Sequence, residues 1–104
     1  LASQNKQLNM SNHFGSKIRQ LREENNLLLR QVAPFIDIDT PLLSKIERGE
    51  RVLKKEQIPL LAKILKTDED ELTTLWLADQ MYNVIDGEPL ANEAIKQLTK
   101  NIKK

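Results

Sequence analysis

Within residues 40–55 the chain gathers side chains suited to non-covalent chemistry with an anionic surface. Lys45, Arg48, Arg51, Lys54 and Lys55 fall within eleven residues, opposed only by Glu47 and Glu50. Net charge over the 104 residues is only +1, so a strongly basic coat is excluded and the distribution of charge carries the information. Asp68, Glu69, Asp70 and Glu71 form an acidic run elsewhere. One end of the molecule should be positive and another negative. Taken alone, both runs also read as ordinary solvated surface.

Bond-making chemistry has little support. The single histidine, His13, stands at the expected start of a helix, without a cysteine, serine or carboxylate placed around it by any recognisable motif. Gly15, Gly49 and Gly87 are scattered singly, so no glycine loop cradles a phosphate. Without cysteine, neither a disulfide framework nor a thiolate metal site is possible, and the acidic run lacks the oxygen-ligand alternation and central glycine of a calcium loop. We expect no enzyme, no catalytic residues, no metal and no cofactor.

The elements that must carry the cationic residues follow from spacing. Leu43 and Ile46 lie three apart, so on a helix both turn inward while Thr40, Pro41, Ser44, Lys45 and Arg48 stay outside. Gly49 supplies a left-handed position on which helices stop, and Arg48 and Arg51 beside it suit the negative end of the helix dipole. Upstream, Asp39 is a plausible N-cap and Pro41 lies in the first turn, where a missing N–H does no harm. The spacing predicts a short helix ending at Arg48 or Gly49.

These residues carry a resemblance. The run Ser44-Lys45-Ile46-Glu47-Arg48-Gly49-Glu50-Arg51 is similar to the end of the recognition helix in the phage-repressor, or Xre-type (Cro-like), helix-turn-helix family. Val32-Ala33 stands where that family's second helix carries Leu-Ala, and Leu61-Ala62 where its fourth carries Ile-Ala, so the resemblance spans roughly residues 14–72. It implies an all-α, compact five-helix lambda-repressor-like domain whose third helix enters the major groove of double-stranded DNA. Thr40, Pro41, Leu42, Ser44 and Lys45 would then face base edges, Lys45 donating to guanine and the Pro41-Leu42 pair resting on thymine methyls.

Arg22, Arg30, Arg48, Arg51, Lys54 and Lys55 would hold phosphates, and Arg22 would also pair with Glu47. An inward carboxylate beside Ile46 requires such a partner, because breaking a buried pair often costs ~3 to 5 kcal/mol. The family's second helix usually opens with a glutamine on a phosphate; Leu29 stands there, which leaves Arg30 or Gln31 to replace that contact. The resemblance further implies a homodimeric transcriptional regulator, a repressor or restriction-modification-type controller, on a pseudo-palindromic operator. Its alternative is an interaction module or antitoxin-like protein of the same fold, with a protein partner.

Around that centre the chain divides simply. Residues 1–10 lack periodicity and read as a disordered extension or tag remnant, residues 11–76 as the DNA-binding domain, and residues 77–104 as the end of helix five plus an additional C-terminal helix. Ser11 or Asn12 can cap a first helix carrying Phe14, Ile18 and Leu21 to about Asn25. Helix two is expected over residues 29–36, bent or shortened by Pro34, with Leu27, Leu28 and Leu29 as core.

Helix four, from about Glu56 with Pro59 in its first turn, should bury Ile58, Leu61, Ala62 and Leu65. Thr67 or Asp68 caps a long helix five that runs through Leu72, Leu75 and Trp76 to Ile85 and stops at Asp86-Gly87-Glu88-Pro89. The last helix, from about Pro89 to Ile102, either packs back on its own domain or joins a dimer interface with Trp76, Tyr82 and Leu98; the interface is the favoured reading. No apolar run approaches a membrane span, so a cytoplasmic protein without membrane contact is expected.

Overall fold

The computed structural model describes residues 12–102, all in helices and their connections. The extension expected over residues 1–10, and Ser11 as a cap, lie outside the described residues. Six α-helices follow in order among the described residues: α1 (His13–Glu24), α2 (Leu29–Val32), α3 (Thr40–Glu47), α4 (Ile58–Leu65), α5 (Glu69–Ile85) and α6 (Ala91–Ile102). Short 3-10 turns at Pro34–Ile36 and Lys55–Gln57 follow α2 and precede α4. The fold is all-α, as the periodicity predicts.

Each boundary has a local cause. The α1 helix ends where Asn26 takes a left-handed φ of 57°, and Asn25 Nδ2 donates to the carbonyls of Leu21 (2.7 Å) and Leu65 (3.0 Å), tying this end to the end of α4. Pro34 has no N–H for an α-helical bond, so α2 stops at Val32 and the chain goes on as a 3-10 turn to Ile36. Asp37, at φ 62°, reverses the chain, and Asp39 then caps α3 by accepting from Leu42 N at 2.8 Å. Lys66, at φ 56°, ends α4. Asp68 caps α5 through Glu71 N at 3.1 Å.

The start of α1 differs from expectation. Asn12 precedes the helix but its side chain makes no cap; its Nδ2 donates to Glu47 O at 3.4 Å instead. The cap comes from α5, where the buried Asp79 carboxylate accepts from Phe14 N (2.9 Å) and His13 N (3.3 Å). A carboxylate at a helix N-terminus satisfies orphan N–H groups and meets the positive end of the dipole. A residue 66 positions away thus does what a neighbour was expected to do.

One core joins α1 to the first turns of α5. Phe14, Ile18, Val32, Ala33, Ile36, Leu43, Ile46, Leu53, Ile58, Leu61, Ala62, Leu65 and Leu72 are all buried, with Leu21, Leu27, Leu29, Leu75 and Trp76 packed around them. Each large aliphatic side chain there contributes roughly 1.5 to 3 kcal/mol by leaving water. Leu28, grouped with the core leucines by sequence, is exposed instead.

Beyond Trp76 the packing thins. The α5 helix runs unbroken through residues 76–77 to Ile85, and Gly87, at φ 82°, turns the chain into α6, which starts at Ala91, two residues later than expected, and buries none of its residues. The radius of gyration, 15.3 Å, exceeds the roughly 13 Å of a compact 100-residue domain. None of the described helices is long and apolar enough to cross a membrane.

Candidate nucleic-acid interface

The inner face of α3 is fixed by two kinds of contact. Leu43 and Ile46 are buried in the core. Glu47, one position further round, also turns inward and meets Arg22 of α1 in a two-point pair: Nε to Oε2 at 2.7 Å and Nη2 to Oε1 at 3.0 Å. The remaining nitrogen, Nη1, donates to Leu27 O at 2.9 Å, so one guanidinium joins α1, α3 and the turn before α2. The two side chains are only 11% and 5% exposed, and Glu47 holds the Arg22 pKa above its already high ordinary value. Arg22, named above for both ion pair and phosphate, therefore directs all three nitrogens into the protein.

Gly15 permits the close crossing of α1 and α3. A Cβ built there would stand 2.5 Å from Ile46 O and 2.6 Å from Glu47 O, and would also strike Asn12 Oδ1. Gly49 combines a left-handed φ of 80° with Asn12 Oδ1 2.7 Å from where its Cβ would be. The C-terminal end of α3 is thus set close to α1 and Asn12 by two residues with no side chain.

The outer face is less uniform than the spacing predicts. Pro41 and Lys45 are exposed, whereas Thr40 and Ser44 are half-buried. Leu42 is half-buried too and packs against the core, which leaves only part of it facing outward. Ser44 Oγ lies 2.6 Å from Arg48 Nη1, and Arg48 donates to Glu50 from Nε (2.9 Å) and Nη2 (3.2 Å). That pair is exposed at the surface; Arg48 draws the Glu50 carboxyl below the usual carboxylate range, and Glu50 in turn raises Arg48. Arg51, Lys54 and Lys55 stand exposed after Gly49, and Arg30 stands exposed on α2. Gln31 Oε1 accepts from Leu28 N at 2.7 Å, so that oxygen is occupied at the start of α2.

The three residues named for a subunit interface are not alike. Trp76 is half-buried against the core and its Nε1 donates to Leu53 O at 2.8 Å, so much of it belongs to the domain's own packing. Tyr82 is exposed; its hydroxyl bonds to Asp86, which raises the phenol pKa. Leu98 is exposed on α6.

Sequence reasoning missed Asp79, Gly15 and Asn25. The signal for Asp79 was present: it lies seven residues after Leu72, two turns on along the inward face of α5. Its Oδ1 is also 3.3 Å from Nδ1 of His13, whose side chain is 74% exposed, so the histidine rests beside the cap. Among the described residues no group of three or more His, Asp or Glu side chains could hold a metal ion.

Comparison with known proteins agrees with this geometry. Residues 13–75 match the family described as helix-turn-helix domain. The HTH-type transcriptional repressor RghR of Bacillus subtilis (strain 168) is 41% identical over 54 residues, 51% of this chain and 40% of the relative. The HTH-type transcriptional regulator RghRB of the same organism is 37% identical over 60 residues, 57% of this chain and 43% of the relative. The matched part therefore spans about two fifths of these curated relatives. No solved structure matches at comparable significance. With the family match covering more than half of its length, and α2 and α3 locked to α1 as the resemblance implies, this chain belongs to the Xre/Cro-like helix-turn-helix family.

Proposed function

We propose that the chain is a sequence-specific double-stranded DNA-binding transcriptional regulator that acts as a homodimer on a pseudo-palindromic operator in the cytoplasm. The observation that carries this is the two-sidedness of α3. Its back is held by the buried Arg22–Glu47 pair, while Lys45 stands exposed on its front and Arg51, Lys54 and Lys55 stand exposed just beyond it. Such a helix can enter the major groove without giving up its own packing. Thr40, Pro41, Leu42, Ser44 and Lys45 face base edges, and Arg30, Arg48, Arg51, Lys54 and Lys55 face phosphates. Arg22 acts through Glu47 more than through DNA, because its nitrogens are already occupied. The name of RghR favours repression over activation.

Binding is tested by titrating promoter DNA and a scrambled duplex at low and physiological salt. Tight, salt-sensitive binding to the promoter is expected, because phosphate contacts release counterions. Lys45→Ala should relax discrimination between sites and Arg51→Ala should weaken all sites together. Equal effects of both on every sequence would remove Lys45 from base reading.

A second reading has specific observations behind it. Leu29, where the family usually places a phosphate-binding glutamine, packs against the core, and Phe35 and Leu60 are large apolar side chains left exposed. Absence of DNA binding at either salt would favour a protein-interaction or antitoxin-like module.

A further inference from the structure

The α4 helix carries more apolar surface than the core uses. Its eight residues include a single charge, Lys63, and a helix apolar on nearly every side is normally enclosed. Ile58, Leu61, Ala62 and Leu65 form the buried stripe. Leu60 and Ile64, one turn apart, lie outside that stripe, Leu60 exposed and Ile64 half-buried. The two phenylalanines show the same contrast: Phe14 belongs to the core, whereas Phe35, on the 3-10 turn beside α4, is 44% exposed. Leu27, Phe35 and Ile64 together floor a groove of about 340 Å³, completed by Asn25, Lys63 and Lys66.

The groove is preformed. Gln57 Nε2 donates to Ile36 O at 2.9 Å, which ties the turn carrying Phe35 to the start of α4. Asn25 Nδ2 donates to Leu65 O at 3.0 Å, which ties the end of α1 to the other end of α4. Walls already held in place lose little freedom when a ligand enters, so more of the contact energy appears as affinity.

Charge decides what fits there. Lys63 and Lys66 are exposed, neither makes a salt bridge among the described residues, and no acidic side chain lines the groove. DNA is a poor occupant, because its phosphates would be desolvated over Leu27, Phe35 and Ile64. A second copy is a poor one too: a two-fold contact through the groove brings both lysine pairs together, and a head-to-tail contact does not close. We propose that the groove takes an acidic amphipathic helix of a different protein. Two of its apolar side chains, one turn apart, seat against Phe35 and Ile64, and its carboxylates meet Lys63 and Lys66. None of these residues belongs to α3 or to the cationic segment after it, so this partner is held whether or not α3 reads DNA.

The probe is a synthetic helical peptide of about twelve residues, with two leucines one turn apart and glutamates beside them, and its counterpart carries lysines in place of the glutamates. Fluorescence anisotropy with the full chain should show the acidic peptide binding more tightly than ~1 mM and roughly tenfold better than the basic one. Amide NMR shifts should concentrate on Leu27, Phe35 and residues 60–66. Phe35→Ala should weaken the acidic peptide roughly tenfold. Lys63→Glu combined with Lys66→Glu should invert the preference between the peptides, a gain that a poorly folded chain cannot produce. No binding of the acidic peptide, equal binding of both, shifts centred on other helices, or a preference that survives the double reversal overturns the proposal. So does displacement of the peptide by a DNA duplex, which would place the two lysines on phosphate. Failure of DNA binding by a chain that holds the acidic peptide in this way would count against the regulator reading and leave the groove standing.

Discussion

Glu47 and Arg48 are neighbours in sequence and opposites in circumstance. Glu47 faces the back of α3 and meets Arg22 where both side chains are almost out of water; Arg48 faces the front and meets Glu50 at the exposed surface. Both pairs have bidentate geometry and similar distances. Their consequences differ because water screens the second pair and is excluded from the first. The back of α3 is therefore a structural joint, and the front is a set of groups free to exchange partners. A helix of only eight residues holds its position in this way while its outer face stays open to a ligand.

The largest effect should come from breaking the inner pair. Glu47→Ala, which leaves the Arg22 guanidinium buried without its carboxylate, should cost ~3 to 5 kcal/mol in denaturant unfolding. A loss below ~1 kcal/mol would mean that water reaches the pair and that back and front do not differ.

Second is Gly15→Ala, whose added methyl must push α1 away from the Ile46 and Glu47 carbonyls. Overpacking of this kind costs roughly 1 to 3 kcal/mol, and DNA affinity should fall with it because α3 moves. An alanine variant as stable as the parent would show that the crossing is looser than the geometry implies.

Third is Asp79→Ala. It removes a cap supplied across the fold and should cost roughly 1 to 2 kcal/mol by thermal unfolding, with Asp79→Asn losing less because an amide oxygen can still accept. Equal losses would show that the charge, and not the acceptor, matters at this helix start.

The smallest effect belongs to the front. Arg48→Ala and Glu50→Ala should leave the melting temperature unchanged within error, while Arg48→Ala weakens DNA binding and Glu50→Ala strengthens it by releasing the arginine. Because Arg48 depresses the Glu50 pKa, whatever stability the pair adds is present at neutral pH and is lost only as pH falls through the lowered folded-state value. An NMR titration of Glu50 in the parent and in Arg48→Ala reads this directly. The substitution should return the carboxyl toward its ordinary value.

Much of this was legible in advance because it is local. The Asp39 and Asp68 caps, the stop at Pro34, the first-turn Pro59 and the buried set Ile58, Leu61, Ala62 and Leu65 each depend on residues within a turn or two of one another. The pairing of Arg22 with Glu47 could be anticipated only through the family resemblance, because 25 residues separate them and the geometry that joins them belongs to the assembled helices. Arg48 was legible as a cation, but its partner was not, since several acidic and polar groups were within reach in sequence.

What the sequence by itself determined is the set of helices, the starts set by a local cap such as Asp39 or Asp68, and which stripe of each is apolar, since these follow from side-chain period and capping chemistry. Tertiary structure alone decided which stripes find a partner. It set Asp79 on the start of α1 in place of Asn12, drew Trp76 onto Leu53 and Leu42 toward the core, and left the stripe of α6 uncovered although its spacing is as regular as that of α4. The physical reason is that amphipathicity specifies only that a face must be buried. What buries it depends on which helices the connecting turns bring within reach, and the 86–89 turn carries α6 away from the core.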